Sequence, residues 1–319
     1  MTLFIPSPSI SGFSIGPVTI RFYALCLIAG IAAAWWLGSR RWVARGGKAE
    51  TFEWVVLWAI PFGIIGARIY HVLTHLGDYV GPGINPWSVF FIWEGGIAIY
   101  GAIGGGALAA WFACRAKGAK FAALADSLAP GIAIGQAMGR FGNWFNQELY
   151  GWPTDLPWGL EIDPAHRLAG FEQYATFHPT FLYESIWNLL VVATLLWADR
   201  RFTLGRGKVF ALYIALYGFG RFFTEGIRLD FSYDTFGPIR FNQFVAGLIC
   251  LAGILLLVWL VRFRPGREKT VEPIDLPDLP QDGAAAATGS DPEPAPDGDE
   301  PGPARPSGDD TSPAESSAS

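Results

Sequence analysis

Seven apolar runs with almost no charged residues divide the sequence, and they constrain the fold more than any other feature. Each is roughly 20 residues long, enough for a helix to cross a hydrocarbon core about 30 Å thick at 1.5 Å per residue. The runs lie near residues 18–38, 52–73, 90–113, 121–140, 179–198, 208–227 and 242–262. Lipid offers no partners for backbone N–H and C=O groups, and the runs lack the strict alternation of barrel strands. The sequence therefore predicts an all-α membrane protein with seven transmembrane helices.

The connections between the runs alternate between basic and basic-poor. Three of the connections and the segment after the seventh run carry clusters of basic residues, namely Arg40, Arg41, Arg45 and Lys48; Arg115, Lys117 and Lys120; Arg200, Arg201, Arg206 and Lys208; and Arg262, Arg264 and Arg267. The intervening connections are poorer: 74–89 has no Lys or Arg, 152–178 has only Arg167, and 228–241 has two. Because basic loops remain in the cytoplasm, we expect the N-terminus outside and the C-terminus inside.

The chain changes character at Thr270, from where Pro, Gly, Ala, Ser and acidic residues dominate. This segment has 12 Asp or Glu and one Arg, which is a net charge of −11; the whole chain carries −5, so the remainder carries +6. Such a composition cannot bury enough apolar surface to offset the entropy lost on ordering. We therefore expect two parts, a transmembrane domain over residues 1–269 and a disordered acidic cytoplasmic tail over 270–319.

Charged and polar residues within or beside the apolar runs carry the functional information. A charge at the bilayer centre costs about 2.5–3.5 kcal/mol on insertion scales, so each one needs a partner, a water-filled cavity or an interfacial position. The charged ones are Arg21, Arg68, Glu94, Asp126, Arg140, Glu148, Glu184, Arg221 and Glu225. By the predicted orientation Asp126 does not lie on the outer side, and the side of Arg68 stays open. All the others lie in the outer halves of the runs or at their outer ends. This distribution predicts one polar chamber that opens outward.

The segment "LYGFGRFFTEGIR", residues 216–228, places four polar side chains on one helical stripe. Tyr217, Arg221, Glu225 and Arg228 fall within about 60° of helix surface at 100° per residue. Glu225 can pair with both arginines, which leaves one surplus positive charge. Two interpretations stay open. The stripe is either an interfacial ladder of salt bridges or an anion site, because guanidinium groups bind phosphate with two parallel hydrogen bonds.

The segment "GRFGNWFNQELYG", residues 139–151, follows the fourth run directly. If the helix continues through it, Arg140, Asn143 and Gln147 share a face, and Gly139 and Gly142 allow a close approach by another helix or a ligand. The polar groups suit a ligand that carries a phosphate and hydroxyls. The alternative is a glycine-mediated helix contact whose amide groups satisfy one another.

The three cysteines, Cys26, Cys114 and Cys250, are widely spaced in or near the runs. Their odd number and the lack of a CxxC pair indicate neither a disulfide framework nor a metal site. We expect them to pack as small apolar side chains.

Six ordered sequence blocks resemble the bacterial prolipoprotein diacylglyceryl transferases. The most specific is "GRFGNWFNQELYG"; the others are "RFYAL" (21–25), "GARIYHVL" (66–73), "WEGGIAIYG" (93–101), "HPTFLYE" (178–184) and "YGFGRFFTEGIR" (217–228). The resemblance covers roughly residues 15–265 and leaves out the acidic tail.

The resemblance implies an activity, a set of partners and a location. Members of that family transfer the diacylglyceryl group of phosphatidylglycerol to the thiol of the lipobox cysteine in a prolipoprotein signal peptide, with a thioether and glycerol phosphate as products. The resemblance implies a seven-span enzyme of the bacterial cytoplasmic (inner) membrane. It needs no metal or dissociable cofactor, and nucleic acid is not an expected partner.

The resemblance also implies roles for individual residues. Arg140 and Arg221 are expected to bind the phosphate and stabilise the leaving group, with Glu148 and Glu225 orienting them. Tyr100 stands where many relatives have a histidine proposed as the base, and a phenol with a pKa near 10 is a poor proton acceptor at neutral pH. The remaining candidates for substrate binding are Tyr23, Arg68, Glu94, Asn143, Asn146, Gly151, Tyr217 and Arg228.

Three other classes of membrane protein compete with the transferase. A transporter or channel with an anion site is disfavoured because the polar residues gather at one side and the runs show no inverted repeat. An intramembrane serine protease lacks a GxSxG or comparable motif. A non-enzymatic lipid-binding scaffold remains open.

Overall fold

The computed structural model describes residues 4–16, 18–81, 85–230, 234–236 and 239–273. These residues form seven α-helices, which are α1 Phe22–Ala44, α2 Ala49–Thr74, α3 Ile99–Ala116, α4 Phe121–Asn146, α5 Thr180–Phe202, α6 Lys208–Ile227 and α7 Phe241–Phe263. Within the described part of the chain, α1, α2, α4, α5 and α7 are long and apolar enough to cross a membrane. More than half of α3 is Gly or Ala, and α6 carries buried charges, which lowers the hydropathy of both.

The third helix differs most from its predicted bounds. The apolar run begins near residue 90, but α3 begins at Ile99. The chain before it forms short 3₁₀ turns, the last of them Ile92–Glu94. Gly95 and Gly96 follow with φ of +95° and +73°, a backbone conformation that favours glycine and interrupts a right-handed helix. The predicted 90–113 span is therefore a shorter helix that is preceded, on the predicted outer side, by an irregular segment.

Short antiparallel hairpins accompany the helices, so the described chain is mostly rather than wholly helical. They pair β1 Gly12–Ile15 with β2 Val18–Arg21, β3 Leu160–Glu161 with β4 Thr176–Phe177, and β5 Asp234–Phe236 with β6 Ile239–Arg240. Ile5 adds a parallel bridge to Leu160. The strands have two to four residues, too few to reveal a period of two in the sequence.

Glycines allow the helices to pack closely. A Cβ on Gly30 of α1 would lie 2.9 Å from the carbonyl oxygen of Gly135 on α4. Gly66 of α2 faces Gly101 of α3 in the same way, with no room for a side chain. Such contacts between small residues are typical of helices in lipid, where backbones approach until they touch.

At the predicted inner end, an apolar cluster joins α1 to the α2–α3 pair and α4. Its largest members include Trp42, Phe52 and Leu124, and it holds Cys114, which packs as a small apolar residue as predicted. Val271 completes the cluster and is 1% exposed. The described contacts thus run past residue 269, where the predicted tail begins. Residues 274–319 lie outside the described residues, so the disorder expected for them stays a prediction.

The buried carboxylate of Asp126 at this end has a structural explanation. It is fully buried and accepts hydrogen bonds from the backbone N–H groups of Gly207 and Phe210, both at 2.9 Å. Arg45 lies 3.5 Å away. Asp126 therefore satisfies unpaired N–H groups in the first turn of α6, and a carboxylate is also favoured there by the helix dipole.

Candidate active site

A chain of ion pairs crosses from α4 through α5 to α6 at the predicted outer end. Glu184 of α5 lies between two arginines: its carboxylate contacts Arg140 Nε and, at 2.9 Å, Arg221 Nη1. Arg221 Nη2 is 2.5 Å from Glu225 Oε2, and Arg228 Nη1 is 3.4 Å from the same oxygen. The helical stripe predicted from spacing thus exists, although α6 ends at Ile227 and Arg228 lies in extended backbone just beyond it.

Glu225 is the most deeply buried member, with no exposed surface. Its second oxygen accepts a hydrogen bond from Asn242 of α7 at 3.0 Å and lies 4.0 Å from Arg240. Arg228 also forms a two-pronged pair with Asp230 at 2.7 and 2.8 Å. We call this set the arginine–carboxylate network. It contains four arginines and three carboxylates, so one positive charge remains.

A cavity of about 430 Å³ opens beside the network, between α1, α3, α4 and α6. Its polar lining consists of Tyr23, Gln136, Arg140, Asn143 and Tyr217. Along α1 and α4 the lining becomes apolar toward the inner end, at Ile31, Ala34 and Ile132. We call it the main cavity because it borders the network. It has a polar outer part and an apolar inner part, which matches a molecule with a charged head and apolar chains.

Tyr217 separates the two arginines expected to act together. It lines the main cavity with Arg140, and it also lines a small adjoining cavity with Glu184 and Arg221. The side chain of Arg140 is 22% exposed and that of Arg221 is 19% exposed. Arg221 thus lines the small cavity and not the main one, whereas Tyr217 lines both.

The fourth helix continues through the first half of the polar motif, as one interpretation of the sequence requires. It ends at Asn146, because Gln147 adopts φ of +52°. Gln147 consequently does not share a face with Arg140. Its amide instead bonds to Asp163 twice, with the amide nitrogen donating to the carboxylate at 2.6 Å and the amide oxygen accepting from the backbone N–H at 2.9 Å.

Glu148 orients amides rather than arginines. Asn143 donates to its Oε1 at 2.8 Å and Asn146 donates to the same oxygen at 3.1 Å. The expectation that Glu148 orients an arginine is therefore wrong, because Glu184 occupies that position beside Arg140. Glu148 fixes the amide of Asn143 at the wall of the main cavity.

Gly151 supports the network from the outer loop. A Cβ there would lie 2.8 Å from the carbonyl oxygen of Ile227 and from the Cβ of His178, so any side chain would separate these segments. Gly151 also forms a β-bridge with Arg228. His178 hydrogen-bonds the hydroxyl of Tyr183 at 3.2 Å, and partial burial lowers the pKa of its imidazole. The close packing accounts for Gly151, and its predicted headgroup contact stays a prediction.

Arg68 and Tyr100 are predicted site residues whose side chains do not line the main cavity. The guanidinium of Arg68 is buried and donates hydrogen bonds to backbone carbonyls of the turns before α3, those of Ser88, Val89, Gly95 and Gly96. Tyr100 is 58% exposed and lies beside Tyr70, whereas its neighbour Ile99 lines the cavity. The side chain of Glu94 lies outside the described residues.

Five residues of the site were not predicted from the sequence, namely Gln136, Glu184, Asp230, Arg240 and Asn242. Glu184 has a clear sequence signal, since it is a carboxylate in an apolar run within a block that matches the family. Arg240 and Asn242 flank the start of α7 and give no comparable signal, because polar residues are ordinary at helix ends. Arg240 donates to the carbonyl oxygens of Glu225 and Arg228 at 2.9 and 2.7 Å, which closes the end of α6.

Chemically, the site can hold an anion with apolar chains and stabilise added negative charge. Guanidinium groups keep their charge at any physiological pH and match phosphate oxygens in geometry. Within the described residues, no group of three or more His, Cys, Asp or Glu is placed to hold a metal ion.

Comparison with known proteins gives a family for this architecture. Residues 11–259 match the family described as prolipoprotein diacylglyceryl transferase. The chain is 55% identical over 260 residues to a phosphatidylglycerol–prolipoprotein diacylglyceryl transferase of Cutibacterium acnes, with 82% of this chain and 88% of that protein covered. It is 52% identical over 265 residues to such a transferase of Streptomyces coelicolor, with 83% of each chain covered. A third relative, the transferase of Streptomyces griseus, is 51% identical over 271 residues, with 85% of this chain and 82% of that protein covered. The chain therefore belongs to the prolipoprotein diacylglyceryl transferase family.

Proposed function

We propose that this protein transfers the diacylglyceryl group of phosphatidylglycerol to the thiol of a prolipoprotein lipobox cysteine. The observation that carries the proposal is the pair Arg140 and Arg221, bridged by Glu184 beside a cavity with a polar outer part and an apolar inner part. The names of the relatives supply the two substrates.

The reaction is a displacement at carbon. The thiolate sulfur attacks the glyceryl carbon, the bond from that carbon to the phosphate oxygen breaks, and its electron pair stays on the departing glycerol phosphate. The cysteine thiol has already lost its proton to water when the thiolate attacks. Negative charge therefore grows on the phosphate, and preorganised donors aimed at such charge are usually the largest catalytic contribution.

Five of the seven network residues have a proposed role in that step. Arg140, on the cavity wall, binds the phosphate, and Arg221 stabilises the charge of the leaving group from the small adjoining cavity. Glu184 holds both guanidinium groups in place, Glu225 holds that of Arg221, and Arg228 pairs with Glu225. Asn143, fixed by Glu148, hydrogen-bonds the glycerol headgroup, and Tyr23 and Tyr217 line the site. These assignments rest on the contacts described above.

The remaining predicted site residues have weaker support. Asn146 reaches the headgroup region through Glu148. Gly151 and Arg68 fit supporting roles, since the first packs behind Arg228 and the second closes the turns before α3. Tyr100 follows a residue of the cavity wall, and its contact with substrate stays a prediction, as does that of Glu94.

We further propose that all seven helices span the bacterial inner membrane, with the N-terminus outside and the C-terminus in the cytoplasm. The alternation of basic and basic-poor connections supports this arrangement. It places the network at the outer face, where a secreted substrate presents its cysteine.

The test uses purified protein in vesicles with and without phosphatidylglycerol, together with a lipobox peptide and the same peptide with serine for cysteine. We expect a thioether-linked diacylglyceryl adduct only with phosphatidylglycerol and cysteine both present. Absence of the adduct from correctly folded protein would contradict the proposal, and adduct formation on serine would contradict the thiol chemistry.

A further inference from the structure

A second groove lies between α1 and α2 near the predicted inner end. It has a volume of about 640 Å³ and is lined by Trp35 of α1 and by Leu57, Ile60 and Pro61 of α2, among others. Trp35 is 45% exposed and Leu57 is 63% exposed, so the apolar walls are open. We call this the α1–α2 groove.

Two carboxylates at the mouth of the groove distinguish it from a surface that only lipid contacts. Glu50 and Glu53 both line it and both are exposed, and neither makes an ion pair with another described residue. The other carboxylates described at this end are all bonded within the chain: Asp126, Asp199, Glu268 and Glu272. Glu50 is in the first turn of α2, where the helix dipole favours it, but Glu53 lies a turn further along.

The walls of the groove and of the main cavity include neighbouring residues. Trp35 follows Ala34, which lines the main cavity, on α1. On α2, the stretch from Glu53 to Ala67 is about 21 Å long at 1.5 Å per residue. Ala67 accepts a hydrogen bond from the backbone of Ala98, next to Ile99 in the main cavity wall. A helical segment with one end at Glu53 would therefore need about 14 residues to reach the level of that cavity.

We propose that the α1–α2 groove binds the signal segment of the prolipoprotein, with its basic N-terminal residues against Glu50 and Glu53. The inference rests on the proposed function. Secretory signals carry a basic stretch followed by about 7–15 apolar residues before the processing site. That order matches two carboxylates at the mouth followed by an apolar groove. The length matches the helical segment of about 14 residues that would reach from Glu53 to the level of the main cavity.

A charge swap tests this assignment. When two exposed ion pairs are replaced by two repulsive pairs, affinity falls by about tenfold. The double variant Glu50→Lys with Glu53→Lys should therefore raise the KM for a full signal peptide about tenfold and leave kcat unchanged. A signal peptide with acidic residues in place of its lysines should regain most of that loss. The neutral variant Glu50→Gln with Glu53→Gln should show a smaller rise in the same direction.

A short lipobox peptide without the basic stretch separates this inference from the proposed function. We expect the charge-reversed variant to modify the short peptide at the wild-type rate. Asp155→Lys, which reverses an exposed carboxylate in the outer loop, is the matched control and should change neither KM. Equal KM changes for both peptides, or no recovery with the acidic signal peptide, would overturn the assignment while leaving the transferase activity intact.

Crosslinking gives an independent readout. A photoreactive residue in place of Leu57 should crosslink to the apolar stretch of a full signal peptide during turnover. Crosslinks only to lipid or to a second copy of the chain would refute the signal segment as occupant.

Discussion

Replacing Glu184 by glutamine removes the carboxylate that Arg140 and Arg221 both contact. Arg221 keeps Glu225, but Arg140 has no other ion-pair partner among the described residues. The amide that replaces the carboxylate has one acceptor oxygen for two guanidinium groups. The net charge of the network rises from +1 to +2, so anion binding should persist while the two arginines lose their fixed positions.

The expected size of the effect follows from this geometry. Misplacing a charge-stabilising group by about 1 Å costs on the order of 100-fold in rate. We therefore expect Glu184→Gln to lower kcat about 100-fold and to leave the KM for phosphatidylglycerol within a few-fold. Removing one partner of a buried ion pair costs about 3–5 kcal/mol, and partial exposure of both arginines places the stability loss below that range. Glu184→Asp keeps the charge, but its side chain is one methylene shorter. Its kcat should therefore lie between those of wild type and Glu184→Gln.

Initial rates of thioether formation in vesicles, measured at several phosphatidylglycerol fractions, give both constants. Asp155→Asn, in an exposed loop position, serves as the control and should match wild type. A Glu184→Gln protein with reduced thermal stability but a kcat within threefold of wild type would refute the reasoning. The network would then be the structural ladder of salt bridges that the sequence left open.

Two further predictions concern topology and the C-terminal segment. In a cysteine-free background, an impermeant thiol reagent applied to intact cells should label cysteines introduced at 155–175 and spare those at 200–207, and labelling of the second set would overturn the orientation. Truncation after Pro273 should keep activity within a few-fold, as shown by transfer assays at equal membrane levels. Truncation after Gly266 removes Val271 from the inner apolar cluster and should reduce the amount of folded protein; equal amounts from both truncations would contradict the packing role of this valine.

Residues that carry charge in apolar helices could be predicted from the sequence. Arg140, Arg221 and Glu225 stand out because each is costly in lipid without a partner, and helical spacing relates positions on one helix. Spacing does not specify which helix faces which. Glu184 therefore received no role, although it is the residue that connects α4 to α6.

The surroundings of Arg68 and Tyr100 could not be predicted for the same physical reason. The resemblance predicts that Arg68 binds substrate, but its partners in the structure are carbonyl groups exposed where Gly95 and Gly96 interrupt the chain. A sequence does not reveal carbonyls left unpaired by an irregular turn. Tyr100 was placed by its match to a family block, whereas the rotation of α3 about its axis, which depends on packing against α2, turns Ile99 toward the cavity.

The central claim is that Arg221 stabilises the negative charge on the departing phosphate. It is tested most directly by the ratio of the turnover rates of wild type and Arg221→Lys, measured with two lipid donors. One donor is phosphatidylglycerol. The other is an analogue whose fluorinated headgroup alcohol makes the leaving phosphate less basic. Lysine keeps the charge but loses the fork that reaches both Glu184 and Glu225, so the ratio with phosphatidylglycerol should be about 100. A weaker base needs less stabilisation, and we expect the ratio to fall below about 10 with the analogue. The same ratio for both donors would show that Arg221 acts on the fold and not on the leaving group.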